Sequence, residues 1–126
     1  MYLSIDLGDK RCGIAIAIDG IVFPKDIILR PKLLSVLKKY IAEYKIKTIV
    51  IGLPYDLYGK KTKQLEKTKR YMENLKTNFP EIQVEGVDER FTSFEADNIC
   101  LEMGDDSKRD DIAAALILET YLDQKN

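Results

Sequence analysis

The chain contains no histidine, only two cysteines and no long apolar run, and each shortage closes off a class of chemistry. Without imidazole there is no histidine general base and no usual ligand for zinc or copper. Cys12 and Cys100 are too few and too far apart in sequence for a zinc knuckle or a disulfide framework. No secretory signal is recognisable, so a reducing cytoplasm and no membrane partner are expected. An excess of either charge is also missing: 20 Lys and Arg stand against 21 Asp and Glu, a formal net charge of -1. No global basic field therefore draws the protein onto nucleic acid, and any such partner must be held by a local patch. What is present in quantity is carboxylate, lysine and arginine, the materials of hard-cation sites such as magnesium and of phosphate recognition.

At 126 residues the chain suits one domain, residues 1–126, large enough to bury a core without staples. No repeat, linker or low-complexity tract interrupts it. Strands are expected at 2–6, 13–18 and 21–29, the last two joined by the Asp19-Gly20 hairpin signal. Pro31 opens an amphipathic helix over 31–44, and the continuous β-branched run 46–51 reads as a strand buried on both faces. A helix over 61–78 stopped by Pro80, a strand over 82–87, a helix from Thr92 or Ser93 to Met103 and a last helix over 107–123 complete the order. This predicts an α/β fold with a five-stranded mixed sheet, three antiparallel strands followed by two parallel ones, flanked by helices. Right-handed crossovers put the first strand in the middle, so the ends of strands 46–51 and 82–87 gather on the same rim as Asp6.

Asp6 ends an apolar strand and is followed by the glycine-rich basic turn Leu7-Gly8-Asp9-Lys10-Arg11-Cys12-Gly13. An unpaired carboxylate does not help a core, whereas a strand end opening on a crevice is where α/β folds keep ligands and metals. Two further acidic clusters compete for attention: Asp88-Glu89, and Asp110-Asp111 near the start of the final helix. If Ala113, Ala114 and Ala115 let that helix pack closely on the sheet, its first turn can deliver a carboxylate to the rim. Carboxylates converging in one cleft repel one another unless a cation sits among them, so the arrangement implies a metal. Each cluster alone also fits a solvated turn, or acidic residues complementing a helix dipole.

The motifs Asp6 to Ala15, Ile51-Gly52-Leu53-Pro54 with Gly59, Asp88-Glu89-Arg90-Phe91-Thr92-Ser93 with Ala96, and Lys108 to Ala114 with Ile117-Leu118 and Tyr121-Leu122-Asp123 resemble those of the YqgF/RuvX family. That family belongs to the ribonuclease H-like superfamily, and the resemblance spans nearly the whole chain. It implies a ribonuclease H-like fold and a magnesium-dependent nuclease, with manganese as the alternative ion, acting in 5′-end maturation of pre-16S ribosomal RNA. An older family proposal is Holliday-junction resolution on branched DNA. Carried over by motif, Asp6, Glu89 and Asp110 are the metal ligands and catalytic carboxylates. Asp88 and Asp111 are the fallbacks, because neighbouring strand residues face opposite ways and neighbouring helix residues diverge by about 100°. In such a nuclease Asp6 bridges two magnesium ions, Glu89 and Asp110 complete their shells, and no side-chain base is required.

Lys10, Arg11 and Arg90 are expected to position phosphate or stabilise developing charge. Where the family carries neutral loop residues, this chain has Lys60, Lys61 and Lys63, leading into Lys67, Lys69 and Arg70 with Tyr55, Tyr58 and Tyr71 interleaved. Such a patch can track a nucleic-acid backbone while rings stack on unpaired bases, and it can equally be a solvated helix face. A resolvase calls for a homodimer and a single-strand trimming enzyme for a monomer. A non-catalytic ribosome-assembly module that binds nucleic acid is the rival reading.

Overall fold

The computed structural model describes residues 1–55, 58, 62–89 and 109–125, with Arg109 and Asp110 described by their backbone alone. One five-stranded sheet organises them, in the order β3-β2-β1-β4-β5. Its strands are β1 (Tyr2–Asp6), β2 (Arg11–Ile18), β3 (Ile21–Leu29), β4 (Thr48–Leu53) and β5 (Gln83–Asp88). Strand β1 runs antiparallel to β2 and parallel to β4, while β2 pairs antiparallel with β3 and β4 parallel with β5. The expected mixed sheet, three antiparallel strands and then two parallel ones with β1 at the centre, is the one that forms. It is the sheet of a ribonuclease H-like fold.

The turn between β2 and β3 follows from its two residues. Asp19 and Gly20 both take positive φ, 53° and 81°, and Ile18 pairs directly with Ile21 across them. That backbone matches the twist of the flanking strands, which is why an Asp-Gly pair marks a hairpin. Strand β3 is an edge strand and carries Pro24 in its interior. Its register against β2 slips there, Ile14 pairing with Asp26 but Ala15 with Pro24, so Lys25 is the additional residue of a bulge.

Helices cover both faces. Against one face lie α1 (Leu33–Tyr44) and α2 (Lys63–Asn78), burying Leu33, Leu37 and Leu75 on Leu3, Ile5, Ile14, Ile16, Ile49 and Ile51. Against the other lies α3 (Arg109–Lys125), whose Ala114, Ala115, Ile117 and Leu118 pack on Ala15, Ala17, Val50 and Val87. The two sets alternate along each strand, as the period of two requires.

Several boundaries differ from those the sequence predicts. Strand β2 starts at Arg11 rather than at Gly13, because pairing with β3 continues beyond Gly13 through Cys12 and Arg11, opposite Ile28 and Leu29. Pro31 sits in a separate 3-10 turn, Arg30–Lys32, and α1 begins after it. Ile46 belongs to the helix exit, its N–H donating to the Ile41 carbonyl, and β4 runs from Thr48 to Leu53. Thr62 caps α2, its Oγ1 accepting from the Leu65 N–H at 3.1 Å. Strand β5 sits one residue later than expected, and the helix expected from Thr92 to Met103 lies outside the described residues.

Candidate active site at the strand-end rim

Side-chain alternation decides which carboxylates share a face. Along β1 the odd residues Leu3 and Ile5 enter the core beneath α1 and α2. The even residues turn toward α3: the Tyr2 ring lies 5.9 Å from that of Tyr121, and Ser4 Oγ donates to the Ala114 carbonyl at 2.6 Å. Asp6, the next even residue and the last of the strand, continues this line to the rim and is only partly buried.

Gly52 supplies the neighbouring position on β4. Ser4 pairs with Val50 and Ile5 with Ile51, so Gly52 stands level with Asp6 on the α3 face. A Cβ at Gly52 would lie 2.5 Å from Ile117 Cδ1 and 3.3 Å from the carboxyl carbon of Glu89. The absent side chain thus leaves the room into which the Glu89 carboxyl turns. Glu89 follows Val87 by two residues, and Val87 is packed beneath α3, so strand alternation and direct proximity agree. Asp88, paired with Leu53, is turned by the pleat to the face of α2.

The third acidic cluster arrives from α3. This helix runs antiparallel to β1, because Tyr121 lies by Tyr2 and Ala114 by Ser4, so its first turn points to the rim where Asp6 ends. The buried alanines 113–115 permit the close approach that the sequence suggests. Asp110 stands one turn before Ala114 on the same side of the helix, as four-residue spacing dictates. Asp111 is half-buried one turn before Ala115, with Oδ1 shut off from solvent. The fold therefore places Asp6 level with Gly52 and the Glu89 carboxyl beside Gly52, on one face, and aims the acidic first turn of α3 at the same rim. A hard cation suits such a donor set, carboxylate oxygens with no competing soft ligand. Among the described residues no three metal-ligating side chains are already gathered as a closed cage.

Basic residues border this rim unevenly. Arg11 is exposed and, like Gly13 two residues on, lies on the α3 face of β2 beside Asp6. Lys10 is exposed in the preceding turn. That turn depends on Gly8, where a Cβ would collide with the Arg11 carbonyl oxygen. Lys63, Lys67, Lys69 and Arg70 are all exposed on α2, and Lys69 Nζ sits 6.0 Å over the Tyr55 ring. Tyr58 is 87 % exposed. Tyr71 departs from the expectation of a base-stacking ring: it packs on the core cluster and is covered by the Arg30 guanidinium, 4.8 Å from its centroid. Lys60, Lys61 and Arg90 lie outside the described residues.

Three residues of this architecture carry no chemical signal in the sequence. Ser4 looks like an ordinary strand position and Gly52 like the residue that ends strand 46–51, and only the register reveals that one anchors α3 and the other makes space for Glu89. Arg30 follows a strand at a place where cations are commonplace. Among the described residues, no helix is long and apolar enough to cross a membrane.

Comparison with known proteins identifies relatives of the chain. The chain is similar to a protein of Fusobacterium nucleatum named "Putative pre-16S rRNA nuclease", 39% identical over 98% of this chain and 97% of the relative. One from Sulfurihydrogenibium with the same name is also 39% identical, over 97% of this chain and 89% of its own length. Among solved structures, YeaZ from Pseudomonas aeruginosa superposes with a TM-score of 0.47 at 18% identity, covering 82% of this chain and 49% of that one. Pelota from Archaeoglobus fulgidus does so at 0.48 and 10% identity over 69% of this chain and 26% of that one. At such scores neither likeness bears on function. The profile described as "RuvX: Holliday junction resolvase" matches residues 1–124, and the chain belongs to that family.

Proposed function

We propose that the chain is a metal-dependent nuclease that hydrolyses phosphodiester bonds of precursor 16S ribosomal RNA in the cytoplasm. The observation that supports the reading is the side-chain-free position at Gly52, level with Asp6 on the α3 face and with the Glu89 carboxyl turned into its space. The names of the Fusobacterium and Sulfurihydrogenibium relatives support the choice of substrate.

Asp6 and Glu89 would hold a magnesium or manganese ion, with Asp110 as the third ligand and Asp111 as its alternative. When bound, such an ion activates water and neutralises charge on the leaving oxygen. The protein's own groups do the rest. Two carboxylates held at the ends of β1 and β5, on either side of β4, are pre-positioned by the sheet, so little conformational freedom remains to be lost on binding. Arg11 and Lys10 bind the non-bridging phosphate oxygens and orient the scissile group toward Asp6, as charge-assisted donors do. Lys63, with Lys60, Lys61 and Arg90 from neighbouring segments, extends the contact along the strand. With no histidine available, proton transfer falls to water and carboxylates.

The test is magnesium-dependent cleavage of a labelled precursor leader RNA, run beside a synthetic four-way DNA junction. Asp6→Asn should lower the rate by at least about a hundredfold, the order seen when one preorganised charged partner is lost, with circular dichroism unchanged. RNA cut by a monomer supports the proposal. Junction cleavage by a homodimer, or metal-independent binding with no cleavage of either substrate, replaces it by the resolvase or the assembly module.

A further inference from the structure

We infer that Arg30 is a positioning residue of the rim: it fixes the Gly8 turn, and through it the placement of Lys10 and Arg11 beside Asp6. The inference rests on the nuclease reading for its catalytic consequence, but not for its structural half. Arg30 lies just after β3, on the side of the sheet away from the carboxylates. Two contacts made there hold one turn, and a third ties Arg30 to α2. Arg30 Nη1 donates to the Gly8 carbonyl at 2.9 Å, and the Arg30 backbone N–H donates to the Lys10 carbonyl, also at 2.9 Å. The guanidinium carbon lies over the Tyr71 ring of α2, 4.8 Å from its centroid.

Each contact has a physical reason to be arginine. A guanidinium presents a flat face for stacking while its N–H groups donate in plane, so one side chain can rest on Tyr71 and hold Gly8 together. Lysine keeps the charge but loses the flat face. The Gly8 carbonyl also accepts from Cys12 Sγ at 3.7 Å, a weak contact that does not substitute for a charged donor. The turn itself is too tight for a side chain at Gly8, so its shape is set by what grips its carbonyls. Asp6 enters this turn and Arg11 leaves it. The distance between the carboxylate and the cations proposed to hold phosphate is therefore set by a short segment whose tip is moored to α2 and to the end of β3. Released from Arg30, that tip has one fewer fixed carbonyl, and the cations lose their alignment with Asp6.

The experiment compares Arg30→Ala, Arg30→Lys and Tyr71→Phe with the parent protein. Amide hydrogen exchange across Leu7 to Arg11 should accelerate roughly tenfold in Arg30→Ala, while Leu3, Ile5 and Ile49 to Ile51 stay protected. Cleavage of a labelled single-stranded RNA in magnesium should lose roughly ten- to a hundredfold in kcat with a smaller change in KM, as misalignment without loss of binding groups predicts. Arg30→Lys should recover part of kcat, and Tyr71→Phe, which keeps the ring, should match the parent. Unchanged exchange in Arg30→Ala overturns the mooring, whatever the activity. Faster exchange with full kcat overturns the positioning role. If the parent itself cuts nothing, the nuclease reading fails on that result, and exchange alone still decides whether Arg30 holds the turn.

Discussion

The two faces of the sheet are built from different materials. Beneath α1 and α2 the strands present Leu3, Ile5, Ile14, Ile16, Ile49 and Ile51, all essentially inaccessible to solvent. Beneath α3 the same strands present Ser4, Ala15, Ala17, Val50 and Gly52. Large side chains hold a helix at a distance and bury much apolar area, whereas small ones let a helix backbone approach closely enough for Ser4 to bond the Ala114 carbonyl. The first face accounts for most of the apolar stabilisation. The second sacrifices apolar area for proximity, and proximity brings the first turn of α3 to the rim where Asp6 and Glu89 lie.

Substitutions on either side sharpen the contrast. Ile51→Ala, in the large-residue face, should cost about 2–5 kcal/mol, read from denaturant unfolding, and cleavage measured well below the transition should remain near normal. Ala114→Leu overfills the other face and should cost about 1–3 kcal/mol. Because it lifts α3, cleavage should fall further than the stability loss accounts for; activity that tracks stability alone would erase the distinction between the faces. Gly52→Ala should change stability by about 1 kcal/mol or less, since Ile117 Cδ1 is the movable end of a side chain, yet displace the Glu89 carboxyl and slow cleavage roughly tenfold.

The smallest effect belongs to the large-residue face in alkali. Burial raises the Tyr71 phenol above its usual pKa of 10.0, with the nearby Arg30 charge partly opposing the rise. Stability from the neutral phenol is complete below pH 10 and is lost as pH climbs through the raised folded value. Tyr71→Phe should therefore flatten part of the decline in unfolding free energy above pH 10, measured by urea titration at stepped pH.

Much of this was legible beforehand because it rests on local patterns. The Asp19-Gly20 hairpin, the apolar run of β4 and the central place of β1 follow from turn chemistry, strand composition and the handedness of crossovers. Asp6 could be singled out because a carboxylate closing an apolar strand has few structural reasons to be there. Gly52 and Arg30 were opaque. What they do depends on register and on partners distant in sequence, Ile117 and Glu89 for one, Gly8 and Tyr71 for the other. Arg11 and Cys12 misled for a related reason: they read as part of the glycine-rich turn, and only their pairing with Leu29 and Ile28 puts them in β2.

The bulge in β3 bears on how molecules of this protein meet. An outermost strand normally offers its free backbone groups to a neighbour, the first step toward fibrous aggregation. Pro24 withholds an N–H, and the extra residue Lys25 breaks the even spacing of donors and acceptors while tucking its ammonium against the Tyr40 and Tyr44 rings. A second molecule cannot zip along that margin past Pro24, so the sheet is not lengthened in register along the whole of β3.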